Sequence, residues 1–167
     1  YGATKLAIDQ MITARGMSAI SLRYFNVFGP RQNPNGPYAA VIPLFIESAL
    51  KGQHPVIYGD GTNSRDFTYV ENAVQANVKE LLLPALKQHE VVNIACGASC
   101  SLNQLWEMIC RKTGKKVPPT YKEARQGDVK HSLADISKAK DLLGYVPEFD
   151  LENGLDKAIE WYRSSNP

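Results

Sequence analysis

Tyr1 and Lys5 stand four residues apart in a chain of 167 residues, and a phenol one helical turn from an ammonium is a pair that can move a proton. Residues 1–15 read as a helix, and at about 1.5 Å rise per residue the two side chains share a face. Free tyrosine titrates near ~10, too high for a base at neutral pH. A positive charge beside it favours the phenolate and lowers that value. Tyr1 would then exchange a proton with a substrate hydroxyl while Lys5 holds the charge. On a merely solvated helix the same pair contributes a few tenths of a kcal/mol at most, so its meaning depends on what the rest of the chain places near it. Two other stretches carry charge in turn-forming sequence: Gly59-Asp60-Gly61-Thr62 leading to Arg65-Asp66, and Arg125-Gln126-Gly127-Asp128. Both are poor core material, and both can face one ligand.

The elements that must position these residues alternate between helix and strand. Leu6, Ala7, Met11 and Ile12 recur at helical spacing, and Gly16 ends that helix. Ala19 to Phe25 reads as a buried strand entered from a helix, the pattern of a parallel α/β sheet. Asn26 follows directly, beyond a strand's carboxyl end, where ligands gather in open α/β sheets. Residues 33–38 are dense in turn formers. A helix over 39–50 stops at Gly52, with Pro43 early enough to be tolerated. Residues 55–58 and 65–70 read as short strands, with a hairpin between them as the expected pairing. The longest helix is expected over 71–86, with Val74, Val78, Leu81 and Leu82 on one face. A strand over 91–95 precedes a helix that Ser101 caps and Gly114 ends. Pro118 to Tyr121 is extended, and 122–132 is a polar binding or surface loop. A short helix from Asp135 to Gly144 and a last helix over 151–163 complete the chain.

The charge balance, 19 basic against 17 acidic residues for a net +2, argues against a nucleic-acid or membrane-surface partner. No apolar run approaches the ~20 residues of a membrane span. Cys96, Cys100 and Cys110 lack a further Cys or His spaced to complete a zinc site, so no metal is expected. They read as reduced, partly buried thiols, which with no leader-like segment points to the cytoplasm. The chain opens on Tyr rather than Met, inside a helical pattern with no cap before it, and so reads as part of a longer protein.

Taken in order, Tyr1-x-x-x-Lys5, the run Leu-Arg-Tyr-Phe-Asn-Val-Phe-Gly-Pro-Arg at 22–31, Tyr-Gly-Asp-Gly at 58–61, Arg-Asp-Phe at 65–67, Arg-Gln-Gly-Asp at 125–128 and Leu-Ala-Asp-Ile-Ser-Lys-Ala at 133–139 resemble the C-terminal half of an extended short-chain dehydrogenase/reductase. Within that superfamily the chain is most similar to NAD-dependent nucleotide-sugar 4-epimerases, and the resemblance covers essentially its whole length. It implies an α/β fold: the end of a Rossmann-type parallel sheet over 1–30 and a small mixed α/β substrate-binding lobe over most of 31–167, with strand 91–95 returning to the sheet. It implies that Tyr1 is the acid/base at the sugar 4-hydroxyl and that Lys5 contacts the nicotinamide ribose. Tyr24 and Phe25 would line the nicotinamide edge. Asn26, Arg65 and Arg125 would meet the diphosphate, where a guanidinium fork suits phosphate oxygens. Asp128 would accept from the uridine ribose, and Ala40, Val41, Val56 and Tyr58 would surround the uracil.

Ser132 matches a position that gates the sugar pocket by excluded volume. A Tyr there leaves room only for a plain hexose, and a small residue admits a 2-acetamido group. With Asn26 and Gln32, Ser132 resembles the subgroup preferring UDP-GlcNAc and UDP-GalNAc over UDP-Glc and UDP-Gal. A UDP-glucose 4-epimerase, a sugar-nucleotide dehydratase and a non-catalytic binding or assembly module are the rival readings. The resemblance further implies a homodimeric parent enzyme using NAD. The glycine-rich dinucleotide fingerprint, which seats pyrophosphate on a helix N-terminus, is not in this sequence, nor is the Ser or Thr that assists the Tyr. This chain alone is therefore expected neither to hold NAD tightly nor to turn over.

Overall fold

Residues 2–34 and 40–165 are described by a computed structural model. In chain order they form α1 (Gly2–Ala14), β1 (Ile20–Tyr24), β2 (Val27–Phe28), α2 (Val41–Lys51), β3 (Val56–Tyr58), β4 (Ser64–Arg65), β5 (Thr68–Tyr69), α3 (Val70–Leu81), β6 (Glu90–Ile94), β7 (Cys100–Ser101), α4 (Leu102–Thr113), β8 (Thr120–Lys122), α5 (Ser137–Leu143) and α6 (Leu151–Ser165). The helix ends follow local chemistry. Ser101 and Gln104 cap α4 reciprocally, the Ser101 hydroxyl accepting from the Gln104 N–H and the Gln104 side chain from the Ser101 N–H. Gly52, Gly114 and Gly144 close α2, α4 and α5 in the left-handed conformation.

The strands pair mostly in parallel, as an α/β chain requires. β1 lies beside β6 with Ile20 opposite Glu90 and Tyr24 opposite Ile94. β2 pairs with β5 and β3 with β8, also in parallel, while β4 and β7 are antiparallel. The expected hairpin between 55–58 and 65–70 does not form. Gly59 and Gly61 both take positive φ, and the Asp60 carboxylate accepts from both the Thr62 N–H and its hydroxyl, so the chain turns away from β3. The vacant edge of β3 is taken by β8, and β4 goes to β7 instead.

Gly61 matters most in this turn. A Cβ built there would lie 1.9 Å from Asn103 Oδ1. That amide cannot simply move aside, because it donates to the Asp60 carbonyl and accepts from the Tyr121 hydroxyl. Gly61→Ala is expected to destabilise the fold by about 2–3 kcal/mol, combining left-handed strain with overpacking. The check is a lowered urea midpoint at unchanged m-value.

Two apolar clusters form the core. One joins α2, α4 and α6 around Phe45, Leu105, Trp106, Ile109, Leu155 and Ile159. The other joins β6, α3 and α5 around Val92, Ile94, Ala76, Ala139 and Tyr145. Two helix expectations need correction. α3 stops at Leu81, and α6, with 15 residues, is the longest helix among the described residues. The apolar stripe of α3 also faces outward: Val74, Val78 and Leu81 are exposed, and the buried side is Asn72, Ala73 and Ala76. Small side chains let α3 lie close over β1 and β6, which leaves the larger ones on the open face. α1 likewise buries none of its residues, and Leu6, Ile8 and Met11 are exposed.

A polar junction ties the two clusters together. Asn72, fully buried on α3, accepts from the Glu148 and Phe149 N–H groups and donates to the Phe149 carbonyl. It thereby fixes the approach to α6. Asp66, also fully buried, accepts from the N–H groups of Cys96 and Gly97 at the end of β6 and of Ala134 after the polar loop.

Candidate functional site

The turns that carry Arg65, Arg125 and Asp128 come together on one cleft of about 480 Å³. α2 forms one wall with Val41, Leu44, Phe45 and Ser48, which are spaced to lie on a single helical face. β3 and the residues before it form the opposite wall with His54, Pro55, Val56 and Tyr58. Arg65, Phe67 and Asn26, the last just after β1, also line it, as do Arg125 and Asp128 of the polar loop. Leu102 of α4 completes the lining.

The charged end is already organised. Arg65 donates to the Asp128 carboxylate at 2.5 Å and to the carbonyls of Ser64 and Lys130. Asn63 also donates to Asp128, at 3.1 Å. The loop is thus buckled to β4 at Arg65, and it is held again where the Ser132 N–H donates to the Ser64 carbonyl. The Arg125 guanidinium lies 4.0 Å from the centre of the Tyr58 ring, a cation–π contact. Its hydrogen bond to the phenol, and then its charge, hold the Tyr58 hydroxyl below the ordinary tyrosine value. Arg125 has no carboxylate partner among the described residues. Two guanidiniums, one preset by Asp128 and one resting on an aromatic face, suit a ligand with several phosphate oxygens. The exposed apolar surfaces of Leu44 and Val56 suit a flat ring beyond them.

Asn26 takes φ 38°, a left-handed conformation that Asn tolerates better than most residues. Its amide donates to the Asp66 carbonyl at 2.8 Å, so its place in the cleft is fixed through Asp66. Burial pushes the Asp66 carboxyl above the usual range in spite of the backbone N–H groups it accepts from. Burial also lifts the thiols of Cys96 and Cys100 to about 11. They are therefore protonated and inert at neutral pH, and all three cysteines are free. Among the described residues no group of His, Cys, Asp and Glu is placed to hold a metal ion, and no helix is long and apolar enough to cross a membrane.

Of the residues singled out from the sequence, Asn26, Val41, Val56, Tyr58, Arg65, Arg125 and Asp128 share this cleft, and Gln32, Ala40 and Ser132 do not line it. The Gln32 side-chain amide donates to the Val27 carbonyl, and the Gln32 backbone carbonyl accepts from the Tyr162 hydroxyl. Ala40 stands at the N-cap position of α2 and supplies no side-chain cap. Ser132 sits half-buried beside β4. Tyr24 ends β1, with its hydroxyl donating to Asn77, and the Phe25 N–H continues the pairing to Ile94. Lys5 lies on α1, and Tyr1 falls outside the described residues. Sequence reasoning gave no role to Leu44, Phe45, Ser48, His54 or Asp66. A serine in step with an apolar helical stripe was the available signal for the α2 wall. Nothing local marked His54 or the burial of Asp66.

Parallel strands connected through helices, with a cleft beyond strand carboxyl ends, define a Rossmann-type α/β protein. The model of the NAD dependent epimerase/dehydratase family matches residues 1–95, more than half of the chain, and the chain belongs to that family. A UDP-N-acetylglucosamine 4-epimerase from Methanobrevibacter ruminantium, solved in complex with UDP-N-acetylmuramic acid, is similar at 41% identity and a TM-score of 0.86, over 98% of this chain and 52% of that one. A UDP-glucose 4-epimerase from Thermotoga maritima, solved with UDP-glucose, is similar at 37% identity and a TM-score of 0.89, over 99% and 52%. MoeE5 in complex with UDP-glucuronic acid and NAD is similar at 36% identity and a TM-score of 0.90, over 99% and 56%. The chain spans about half the length of the curated relatives it matches.

Proposed function

We propose that this chain is the substrate-binding portion of a nucleotide-sugar 4-epimerase that interconverts UDP-GlcNAc and UDP-GalNAc through a 4-keto sugar. The observation that carries the reading is the meeting of Arg65, Arg125, Asp128 and Tyr58 on one cleft with an apolar far wall. In this reading Arg65 and Arg125 grip the diphosphate, Asp128 sets the Arg65 fork and faces the ribose, and the slot between α2 and β3 takes the base. Tyr1 exchanges the proton of the hexose 4-hydroxyl, and Lys5 keeps its phenolate accessible near neutral pH.

NAD suits only part of what this sequence offers. Lys5 and the carboxyl end of β1 at Tyr24 and Phe25 fit one wall of a nicotinamide site, while the glycine-rich cradle for its pyrophosphate is not encoded here. The chemistry NAD supplies when bound is acceptance and return of the sugar C4 hydride. The reading therefore includes weak NAD binding by this chain and no turnover without the rest of the enzyme.

The test is calorimetric titration of the chain with UDP-GlcNAc and UDP-glucose. Saturable binding of either supports a UDP-sugar site, and binding of neither removes the proposal. UDP-glucose is the second candidate substrate, favoured by the Thermotoga maritima structure with UDP-glucose. Ser132→Tyr separates the two. If Ser132 makes room for the acetamido group, the tyrosine weakens UDP-GlcNAc about tenfold and leaves UDP-glucose within twofold. Equal loss for both sugars would remove the gating role and with it the preference for acetamido substrates.

A further inference from the structure

α1 buries none of its residues, so its hold on the sheet depends on polar contacts. These meet at His89, which is 9% exposed and stands just before β6, on the same face of the β1–β6 pair as Ser21. Both ring nitrogens face hydroxyls: Nδ1 lies 2.8 Å from Thr13 Oγ1 of α1, and Nε2 lies 2.9 Å from Ser21 Oγ of β1. Each hydroxyl has one proton, and each proton is already placed. Thr13 donates to the Asp9 carbonyl at 3.0 Å, and a carbonyl only accepts. The Ser21 hydroxyl, and then the Arg23 guanidinium, hold the Asp9 carboxyl below the ordinary carboxylate range. An ionised carboxylate only accepts, so Ser21 donates there. Both hydroxyls therefore turn lone pairs toward the imidazole, and both ring nitrogens must donate. In a neutral ring one nitrogen is bare, and a lone pair would face a lone pair unless a hydroxyl gave up its bond to Asp9.

The charges around the ring suit the doubly protonated form. Thr13 lies in the last turn of α1, where the helix dipole attracts a cation, and α1 has no basic residue of its own there. Asp9 of α1 and Glu90 of β6 are the acids that feel the ring's charge. The opposing cations are already paired, Arg23 of β1 with Asp9 at 2.5 Å and Lys138 of α5 with Glu90 at 2.9 Å.

We propose that His89 is the positioning residue of α1: with a proton on each nitrogen it clamps Thr13 of the helix to Ser21 of the strand, and the clamp loosens when one proton leaves. Because the docked helix takes up a proton, docking is favoured as pH falls and lost as pH rises. Lys5 is carried on α1, and a helix held at its last turn keeps Lys5 in one place relative to the sheet. That consequence for catalysis rests on the reading of Tyr1 and Lys5 as the acid/base pair.

Two measurements on the full chain test this. Long-range ¹H–¹⁵N spectra of the imidazoles at about pH 5.5 should show His89 with both nitrogens protonated. Hydrogen exchange of the α1 amides, corrected for the intrinsic rate, should speed up about tenfold as the pH is raised from about 5.5 to about 8. Thr13→Val keeps the ring and removes the acceptor of Nδ1, so α1 should then exchange fast at both pH values. Ser21→Ala should do the same from the strand side. A His89 ring with one bare nitrogen at the lower pH, or α1 protection that does not change with pH, would overturn the clamp. So would a Thr13→Val chain that kept the pH dependence. Neither readout uses the cleft, so the clamp and the nucleotide-sugar reading fail separately.

Discussion

Replacing Arg65 and Arg125 together by alanine is expected to weaken binding of UDP-GlcNAc, or of UDP alone, by about a thousandfold. Hydrogen bonds to charged groups contribute roughly 1.5–3 kcal/mol each, and two forks on one diphosphate supply several. The two residues should not lose equally. Arg65 is mostly enclosed, with its side chain 18% exposed and paired to Asp128 at 2.5 Å. Removing it deletes the fork and leaves the Asp128 carboxylate unneutralised beside incoming phosphate. Arg125 rests on the Tyr58 ring in an exposed loop, where solvent screens its charge. Arg65→Ala alone is therefore expected to account for about a hundredfold of the loss, and Arg125→Ala for about tenfold.

The pairing with Asp128 adds a sharper test. If part of the Arg65→Ala penalty is the stranded carboxylate, then Asp128→Asn should restore some binding in the Arg65→Ala background and none in the Arg125→Ala background. Arg65→Lys should rescue poorly, because an ammonium cannot supply the planar fork. Calorimetry with circular dichroism as a check on folding decides the matter. Losses under twofold for the double variant would mean that the cleft is not where the diphosphate binds.

What could be read from the sequence divides along a physical line. Helix ends were legible because their causes are local: Ser101 with Gln104 three residues on, and glycines placed where the chain must turn left-handed. The arginines of the cleft were legible because a guanidinium in a Gly/Asp turn has no core role to explain it. The pairing of β3 with β8 was not, since its partners lie over sixty residues apart and three residues of strand carry almost no register signal. The outward stripe of α3 was misjudged for a related reason: periodicity identifies a face, and Ala73, Ala76 and Asn72 made a closer-packing one. Asp66 stands in the Arg-Asp-Phe run, but its part is not legible there, because the N–H groups that donate to it come from 96–97 and 134.

Asp66 is where those separate segments meet, and its removal is expected to have the largest effect on stability. It is fully buried, accepts from three backbone N–H groups at 3.0–3.4 Å, and through its own carbonyl holds the Asn26 amide. Asp66→Ala leaves those amides without an acceptor at about 1–3 kcal/mol each. With some water entering the gap, the net loss is expected near about 4 kcal/mol, read as a fall in the urea midpoint. Asp66→Asn keeps the volume and one acceptor but turns an NH₂ toward an N–H, so it should lose about 2–3 kcal/mol. Because Asn26 and the segment after the loop lean on Asp66, both variants should also weaken UDP-sugar binding without touching the ligand.

The pH dependence carries a definite sign. Burial raises the Asp66 carboxyl above its ordinary value, so the folded chain holds that proton more tightly than the unfolded chain does. Stability from this group is then fully present below the unfolded value and is lost as pH rises through the folded one. Wild type should gain on Asp66→Asn as pH falls from neutral toward the ordinary carboxylate range near ~4, because the amide has no proton to bind. A gap that narrowed on acidification would mean that the three N–H groups, rather than burial, govern the carboxyl, and that Asp66 folds as a hydrogen-bonded anion.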